Sequence, residues 1–150
     1  LILGSSETTR ESSSNINWLV GVFEAEASFH ISRRMSRQNQ SNYNPEIGFT
    51  NKRKTIINQV VKTLFENQLS WHIQHYIPSN SNHSEYDALT IRGYKRVKRA
   101  LDIIKPRLIT NRARAKAELQ YEFVVSRLDA GNASYSKREH EIFFELRNMI

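Results

Sequence analysis

The sequence predicts an α+β fold in which two antiparallel β-hairpins are covered on one face by helices. Residues 28–34 alternate between apolar and polar side chains, with Phe29 and Ile31 on the apolar face, as in a half-buried strand. A later segment instead has apolar residues at helical spacing, at Ile56, Ile57, Val60, Val61, Leu64 and Phe65. Along the chain the predicted order is α-β-β-α-β-β-α-α-α. Such hairpins bury one sheet face and leave the other polar.

The strands are predicted from alternation. Residues 28–34 form the first strand, and a polar loop over Arg37–Asn44 leads to a short second strand. The three later strands also have apolar residues facing inward. These residues are Ile47 and Phe49 in the second strand, Trp71, Ile73 and Ile77 in the third, and Leu89 and Ile91 in the fourth.

The helices are predicted from apolar spacing and end signals. After a flexible leader at residues 1–14, the first helix runs from about Asn15 to Ala25, and residues 15–150 form a single domain. The C-terminal half contains three further helices: Tyr94–Ile104 stopped by Pro106, Asn111–Leu128 ending before Gly131, and one that begins at the capping box of Ser136.

The composition favours a polyanionic partner. The 150 residues carry a net charge of +7 and no cysteine, which excludes disulfides and thiolate metal sites and fits an intracellular or organellar protein. No apolar stretch is long enough for a membrane span, so no membrane partner is expected. Residues 92–116 contain ten basic residues and a single acid, Asp102. Such clustering is typical of nucleic-acid binding, although solvated helix faces balanced by distant acids remain an alternative.

The first helix ends in two glutamates, Glu24 and Glu26, where the helix dipole disfavours negative charge. Trp18, Gly21 and Ala25 share one face of this helix, and the very small side chains of Gly21 and Ala25 allow a second backbone to approach closely. If two copies pack along this face, both Glu26 carboxylates meet and repel unless a divalent cation lies between them. Mg²⁺ prefers such oxygen ligands. The alternative is a core helix that touches only its own sheet.

The segment LVGVFEAEA at residues 19–27 resembles one LAGLIDADG motif of the homing endonucleases and intron maturases. The resemblance extends through PEIGF (45–49), the basic helix and PRLITNRA (106–113). It implies an αββαββα unit with a saddle-shaped antiparallel sheet and additional C-terminal helices. Because only one motif is present, it also implies a homodimer or a partner that carries a second LAGLIDADG half.

The resemblance also implies roles for individual residues. Glu26 matches the metal-binding catalytic acid, and Arg112 is the nearest match to a catalytic basic residue that is commonly Lys. Glu24 matches an acid that is more often structural, while Glu46 or Gly48 falls near a polar position of the second strand. Ala27 stands where the motif normally has Gly.

Three function classes follow. The first is a site-specific double-strand DNA endonuclease that uses Mg²⁺ in an organelle, such as a mitochondrion or chloroplast. The second is a catalytically degenerate relative that binds structured RNA, as a maturase-like splicing helper or a component of a ribosome-like particle. The third is a structural protein whose basic surface is incidental. The expected nucleic-acid contacts are His30, Arg34, Gln74, Arg92, Arg96, Arg99, Arg112 and Arg114.

Overall fold

The computed structural model describes residues 15–80 and 82–149, whose elements follow the predicted order; the predicted leader at 1–14 lies outside them. The elements are α1 (15–26), β1 (Ser28–Met35), β2 (Ser41–Asn51), α2 (Lys54–Glu66), β3 (His72–Tyr76), β4 (Tyr86–Arg92), α3 (Tyr94–Ile104), a 3₁₀ turn (Lys105–Arg107), α4 (Asn111–Ala130) and α5 (Lys137–Asn148). Within the described ranges, no helix combines the length and apolar character needed to cross a bilayer.

The four strands form one antiparallel sheet in the order β1-β2-β4-β3. The registers pair even-numbered residues with even-numbered residues throughout, so these positions share one face of the sheet. None of them is buried. We call this surface, the even-numbered residues of β1 to β4, the open face. The odd-numbered residues of the sheet carry its core side chains, including Phe29, Ile47, Phe49, Leu89 and Ile91.

The helices bury the odd-numbered face of the sheet. Residues of α1, α2 and α3 share one apolar cluster with β2 and β4, and the rings of Phe23 on α1 and Phe49 on β2 lie 5.7 Å apart. Helices α4 and α5 complete a second cluster beside β1, formed by Ile31, Tyr43, Phe123, Ile142, Phe143 and Leu146. The amphipathic patterns therefore place the five helices of the described residues on the same side of the sheet, which leaves the open face accessible.

The predicted helix ends are confirmed, apart from an extension of α4. Pro106 lies in the 3₁₀ turn that follows α3, and α4 continues two residues beyond Leu128 to end before Gly131, whose φ of 60° suits glycine. Ser136 and Glu139 form the capping box of α5, in which each side chain bonds the other residue's backbone N–H. Local chemistry thus determines where these helices begin and end.

Strand β2 is longer than the sequence pattern predicted, and β3 is shorter. A tight turn around Asn39, in which the Ser36 N–H donates to the Gln40 carbonyl at 2.8 Å, replaces most of the predicted loop. Hence β2 begins at Ser41 and has 11 residues. Trp71 precedes β3, and Ile77 follows it with 71% of its surface exposed. The prediction that Ile77 faces inward from the third strand is therefore wrong.

The first half of β2 has no β4 partner because β4 ends at Arg92, opposite Glu46. Two tyrosines satisfy its backbone instead: the Tyr94 hydroxyl donates to the Tyr43 carbonyl at 2.8 Å, and the Tyr43 N–H donates to the Tyr135 hydroxyl at 3.0 Å. These bonds come from α3 and from the segment before α5. Distant residues therefore stabilise the part of β2 that alternation alone did not predict.

Candidate nucleic-acid interface

Glu24 anchors the segment before α4 to the end of α1. Its carboxylate accepts the backbone N–H of Ile109 at 2.7 Å and that of Thr110 at 2.8 Å. The bond from Ile109, followed by that from Thr110, holds the pKa of Glu24 below its usual value. Thr110 is the N-cap of α4, so this acid faces the positive end of another helix dipole. The contact compensates the unfavourable position of Glu24 on α1 and gives it a structural role.

Glu26 is exposed at the end of α1, where it meets the end of β2. Because Phe23 packs on Phe49, the next turn of α1 brings Glu26 beside Asn51, whose side-chain amide donates to it at 3.3 Å. The two residues face an open cavity of about 680 Å³. Its other lining residues are Thr50, Lys52, Arg53, Ile56 and Tyr86. An acid therefore lies in a cavity whose rim carries two basic residues.

Asn51 orients Glu26 and is itself held in place. Its side-chain oxygen accepts the Arg53 backbone N–H at 2.8 Å, which directs the amide NH₂ group towards Glu26. The sequence placed the polar second-strand residue at Glu46 or Gly48 instead. Both are even-numbered and lie on the open face, whereas α1 packs on the odd-numbered face, which also carries Asn51. The alternation of β2 was the signal that could have identified Asn51.

The fit of a divalent cation at Glu26 depends on ligands from outside this unit. Mg²⁺ takes about six oxygen ligands, several of which are waters. Residues 15–80 and 82–149 contain no group of three His, Cys, Asp or Glu residues positioned to hold a metal. The Asn51 oxygen is already occupied by the Arg53 N–H. At this cavity one unit thus offers a single exposed carboxylate, that of Glu26, and such a site suits an ion that is shared between two units.

Arg112 and Arg114 both bond to nearby carbonyl groups. Arg112 donates to the Met149 carbonyl at 2.7 Å, and Arg114 donates to the Leu108 carbonyl at the same distance. The first bond ties α4 to the end of α5, and the second supports the turn before α4. The hydrogen bonds of the described residues do not join Arg112 to Glu26.

The three residues expected at a helix interface lie on the exposed side of α1. Trp18 has 38% of its surface exposed, and Gly21 and Ala25 are also exposed, while Leu19 and Phe23 on the opposite side are buried. A Cβ atom added at Gly21 would have no heavy atom within 4 Å. Packing inside the described unit therefore does not require a glycine at this position. Helix α1 covers its own sheet and leaves a second face uncovered.

The other expected nucleic-acid contacts divide between two surfaces. His30, Arg34, Gln74 and Arg92 are even-numbered strand residues and lie on the open face. Helix α3 packs its apolar side against the odd-numbered face, so its exposed residues Arg96 and Arg99 lie on the far side of the helical layer. A ligand bound to the open face therefore cannot also contact Arg96 and Arg99.

Glu46 organises the centre of the open face, a role that the sequence did not predict. Its carboxylate accepts hydrogen bonds from His30 Nε2 at 3.0 Å and Ser32 Oγ at 3.2 Å, and it forms an ion pair with Arg92 Nε at 2.9 Å. The side chain of Glu46 is only 13% exposed. His30, Glu46 and Arg92 are direct register partners across β1, β2 and β4. Two donors from β1 and one cation from β4 thus converge on one shielded acid.

Ala27 connects α1 directly to β1 without strain. Its N–H continues the helical pattern by donating to the Phe23 carbonyl at 2.8 Å. Among the described residues, the only non-glycine residues with positive φ are Asn39 and Gln68. Position 27 therefore has a backbone conformation that any residue adopts, and replacement of the motif's usual Gly by Ala is compatible with the fold.

Comparison with known proteins identifies the fold through solved structures. No protein-family model matches the chain, and no curated protein does. The archaeal intron-encoded homing endonuclease I-Vdi141I, complexed with DNA, aligns with a TM-score of 0.73 at 14% identity, over 92% of this chain and 85% of that chain. The LAGLIDADG homing endonuclease I-GzeII, in complex with its DNA target, aligns with a TM-score of 0.60 at 18% identity, over 89% of this chain and 43% of that chain.

A further neighbour was solved with divalent metals. The homing endonuclease I-CvuI, in complex with its target in the presence of 2 mM Ca, aligns with a TM-score of 0.68 at 13% identity, over 93% of this chain and 84% of that chain. In the presence of 2 mM Mg, with DNA not cleaved, it aligns with a TM-score of 0.61 at 12% identity, over 93% and 79%. The sheet order, the single α1 motif and these alignments agree: this chain has the LAGLIDADG homing endonuclease fold.

Proposed function

We propose that two units of this fold pair along α1 and form an endonuclease that binds duplex DNA on the open face and hydrolyses it with Mg²⁺ at Glu26. The partner unit is a second copy of this chain or another LAGLIDADG half. The observation that carries the proposal is the position of Glu26. It is an exposed carboxylate at the end of a helix whose Trp18, Gly21 and Ala25 are uncovered.

Electrostatics explains why pairing along α1 would create a metal site. Two paired helices would bring both Glu26 carboxylates to the negative ends of two helix dipoles. This arrangement is unfavourable without a cation between the acids and favourable with one. Helix backbones packed through glycine and alanine approach to about 8 Å, which suits an ion shared between the two carboxylates.

Four residues that line the cavity have a role in this proposal. Glu26 would hold the ion, and Asn51 keeps the Glu26 carboxylate turned towards the cavity. Lys52 and Arg53 line the same cavity and would bind the phosphates on either side of the scissile bond. A bound Mg²⁺ supplies Lewis-acid stabilisation of the phosphate and activates water.

Cleavage of a randomised duplex library tests the proposal. We expect the wild-type chain to cut a subset of duplexes in Mg²⁺, and Glu26→Gln to lose cutting while its DNA affinity stays within a few-fold. Structured RNA is assayed in parallel for binding. If the wild type cuts no duplex in Mg²⁺ or Mn²⁺ but holds structured RNA tightly at moderate salt, the nuclease proposal is wrong and the RNA-binding alternative replaces it.

A further inference from the structure

The open face contains a single acid, Glu46, at its centre. All other residues of this face are neutral, basic or histidine, as a surface for a polyanion requires. An acid repels phosphates, so its presence calls for a compensating role. Its carboxylate is only 13% exposed, accepts hydrogen bonds from two side chains and forms an ion pair with Arg92. Glu46 is thus built into the sheet and does not project towards a ligand.

Glu46 holds Arg92 by one specific atom. Arg92 Nε lies 2.9 Å from Glu46 Oε1 in an ion pair, and half of the Arg92 side chain is exposed. Within residues 15–80 and 82–149, the Nη groups of Arg92 have no hydrogen-bond acceptor. A guanidinium carries five N–H donors in a planar fork. An ion pair at the Nε end holds the guanidinium beside Glu46 and leaves both terminal nitrogens available to a ligand.

We infer that Arg92 recognises a guanine in the major groove of the target, with Glu46 as the residue that positions it. Guanine presents O6 and N7 in the major groove, and a free pair of arginine Nη groups donates to both atoms. No other base presents two acceptors with this spacing. The inference rests on the proposed binding of duplex DNA by the open face.

His30 supports the same arrangement from β1. Its Nε2 lies 3.0 Å from Glu46 Oε2, and its Nδ1 lies 3.0 Å from Ser28 Oγ. Both ring nitrogens are therefore engaged within the sheet, Nε2 by the Glu46 carboxylate and Nδ1 by the Ser28 hydroxyl. His30 thus contacts Oε2 of Glu46, while Arg92 lies against Oε1.

Selection from a randomised duplex library measures the base preference at each position. The full chain is used in Ca²⁺, and bound duplexes are sequenced. We expect the wild type to select guanine at one position. Arg92→Lys should reduce the preference for guanine at this position by about 10- to 100-fold, because lysine keeps the charge but loses the planar fork of donors. Glu46→Gln should reduce the preference for guanine at the same position to a smaller extent and leave the base preferences at the other positions unchanged. Arg99→Lys on α3 is the matched control and should preserve the whole profile.

Base analogues then identify the atoms. At the selected position, 7-deazaguanine lacks the N7 acceptor and should weaken wild-type binding but leave Arg92→Lys nearly unaffected. Inosine keeps O6 and N7 and loses only the minor-groove amino group, so it should bind like guanine. A damaged fold would instead lower affinity for every sequence, including random duplex DNA.

The outcomes separate the two proposals. If a profile is selected but no guanine position responds to Arg92→Lys, or if Glu46→Gln leaves that position unchanged, the recognition inference is wrong while DNA binding stands. If the wild type enriches no duplex at all, the proposed function fails and the inference fails with it.

Discussion

Asn51 donates its side-chain amide to the Glu26 carboxylate over 3.3 Å and so connects the end of β2 to the end of α1. The opposite end of the same amide accepts the Arg53 N–H. The direction of the amide is therefore set by the backbone that leads into α2. A residue held in this way orients the acid without competing for a cation.

This contact leads to a prediction for catalysis. Asn51→Ala should lower the cleavage rate by about 10- to 100-fold, the range typical of residues that orient a metal ligand. DNA affinity should stay within a few-fold, because phosphate contacts provide most of it. Single-turnover cleavage beside a binding titration measures both effects. Asn58→Ala, at an exposed position of α2, is the control; an equal loss of rate in this variant would contradict the role of Asn51.

The exposed face of α1 leads to a prediction for assembly. Gly21→Leu should convert a two-unit species to single units in sedimentation velocity, because the added side chain separates the helix backbones. The single unit should not be less stable, since a Cβ at this position meets nothing and leucine favours a helix over glycine by about 1 kcal/mol. Ala115→Leu, on the exposed side of α4, is the matched control. An unchanged sedimentation profile for Gly21→Leu would rule out pairing along α1.

Basic residues beside the open face and basic residues on α3 should contribute differently to the salt dependence of DNA binding. Each phosphate contact contributes about −0.9 to the slope of log K against log salt for duplex DNA. Arg34→Ala combined with Arg53→Ala should therefore reduce the magnitude of the slope by about 2, because both residues lie on or beside the open face. The sequence also predicted DNA contacts for Arg96 and Arg99, but these lie on the exposed side of α3, away from the open face. Their double alanine variant should keep the wild-type slope; a flatter slope would place the DNA on the helical side.

Glu24 should make stability depend on pH. Its pKa is held below the usual 4.5 in the folded chain, so its contribution is present above that value and is lost as the pH falls through the lower, folded-state pKa. Urea unfolding from pH 7 to pH 3 measures this. Glu24→Gln should be less stable than wild type at pH 7, and the difference should shrink in acid. A difference that stays constant with pH would mean that the charge of Glu24 does not contribute.

The sequence by itself determined the order and the limits of most elements. Alternation along β1 and β4, the apolar spacing of α2, and the stop signals at Pro106 and Gly131 act within a few residues. The capping box at Ser136 is also complete within one helical turn. Such signals are readable because the interactions behind them are local. The acids at the end of α1 were a local signal too, since a helix dipole disfavours them.

Only the tertiary structure decided which residues meet. Asn51 lies beside Glu26 because α1 packs Phe23 on Phe49, and Glu46 joins His30 to Arg92 because the strand order places β2 between β1 and β4. The same packing puts Arg96 and Arg99 on the opposite side of the molecule from Arg34. Composition shows how many charges a segment carries, but the face on which they lie depends on contacts between residues far apart in sequence. These contacts arise only when the helices bury the odd-numbered face of the sheet.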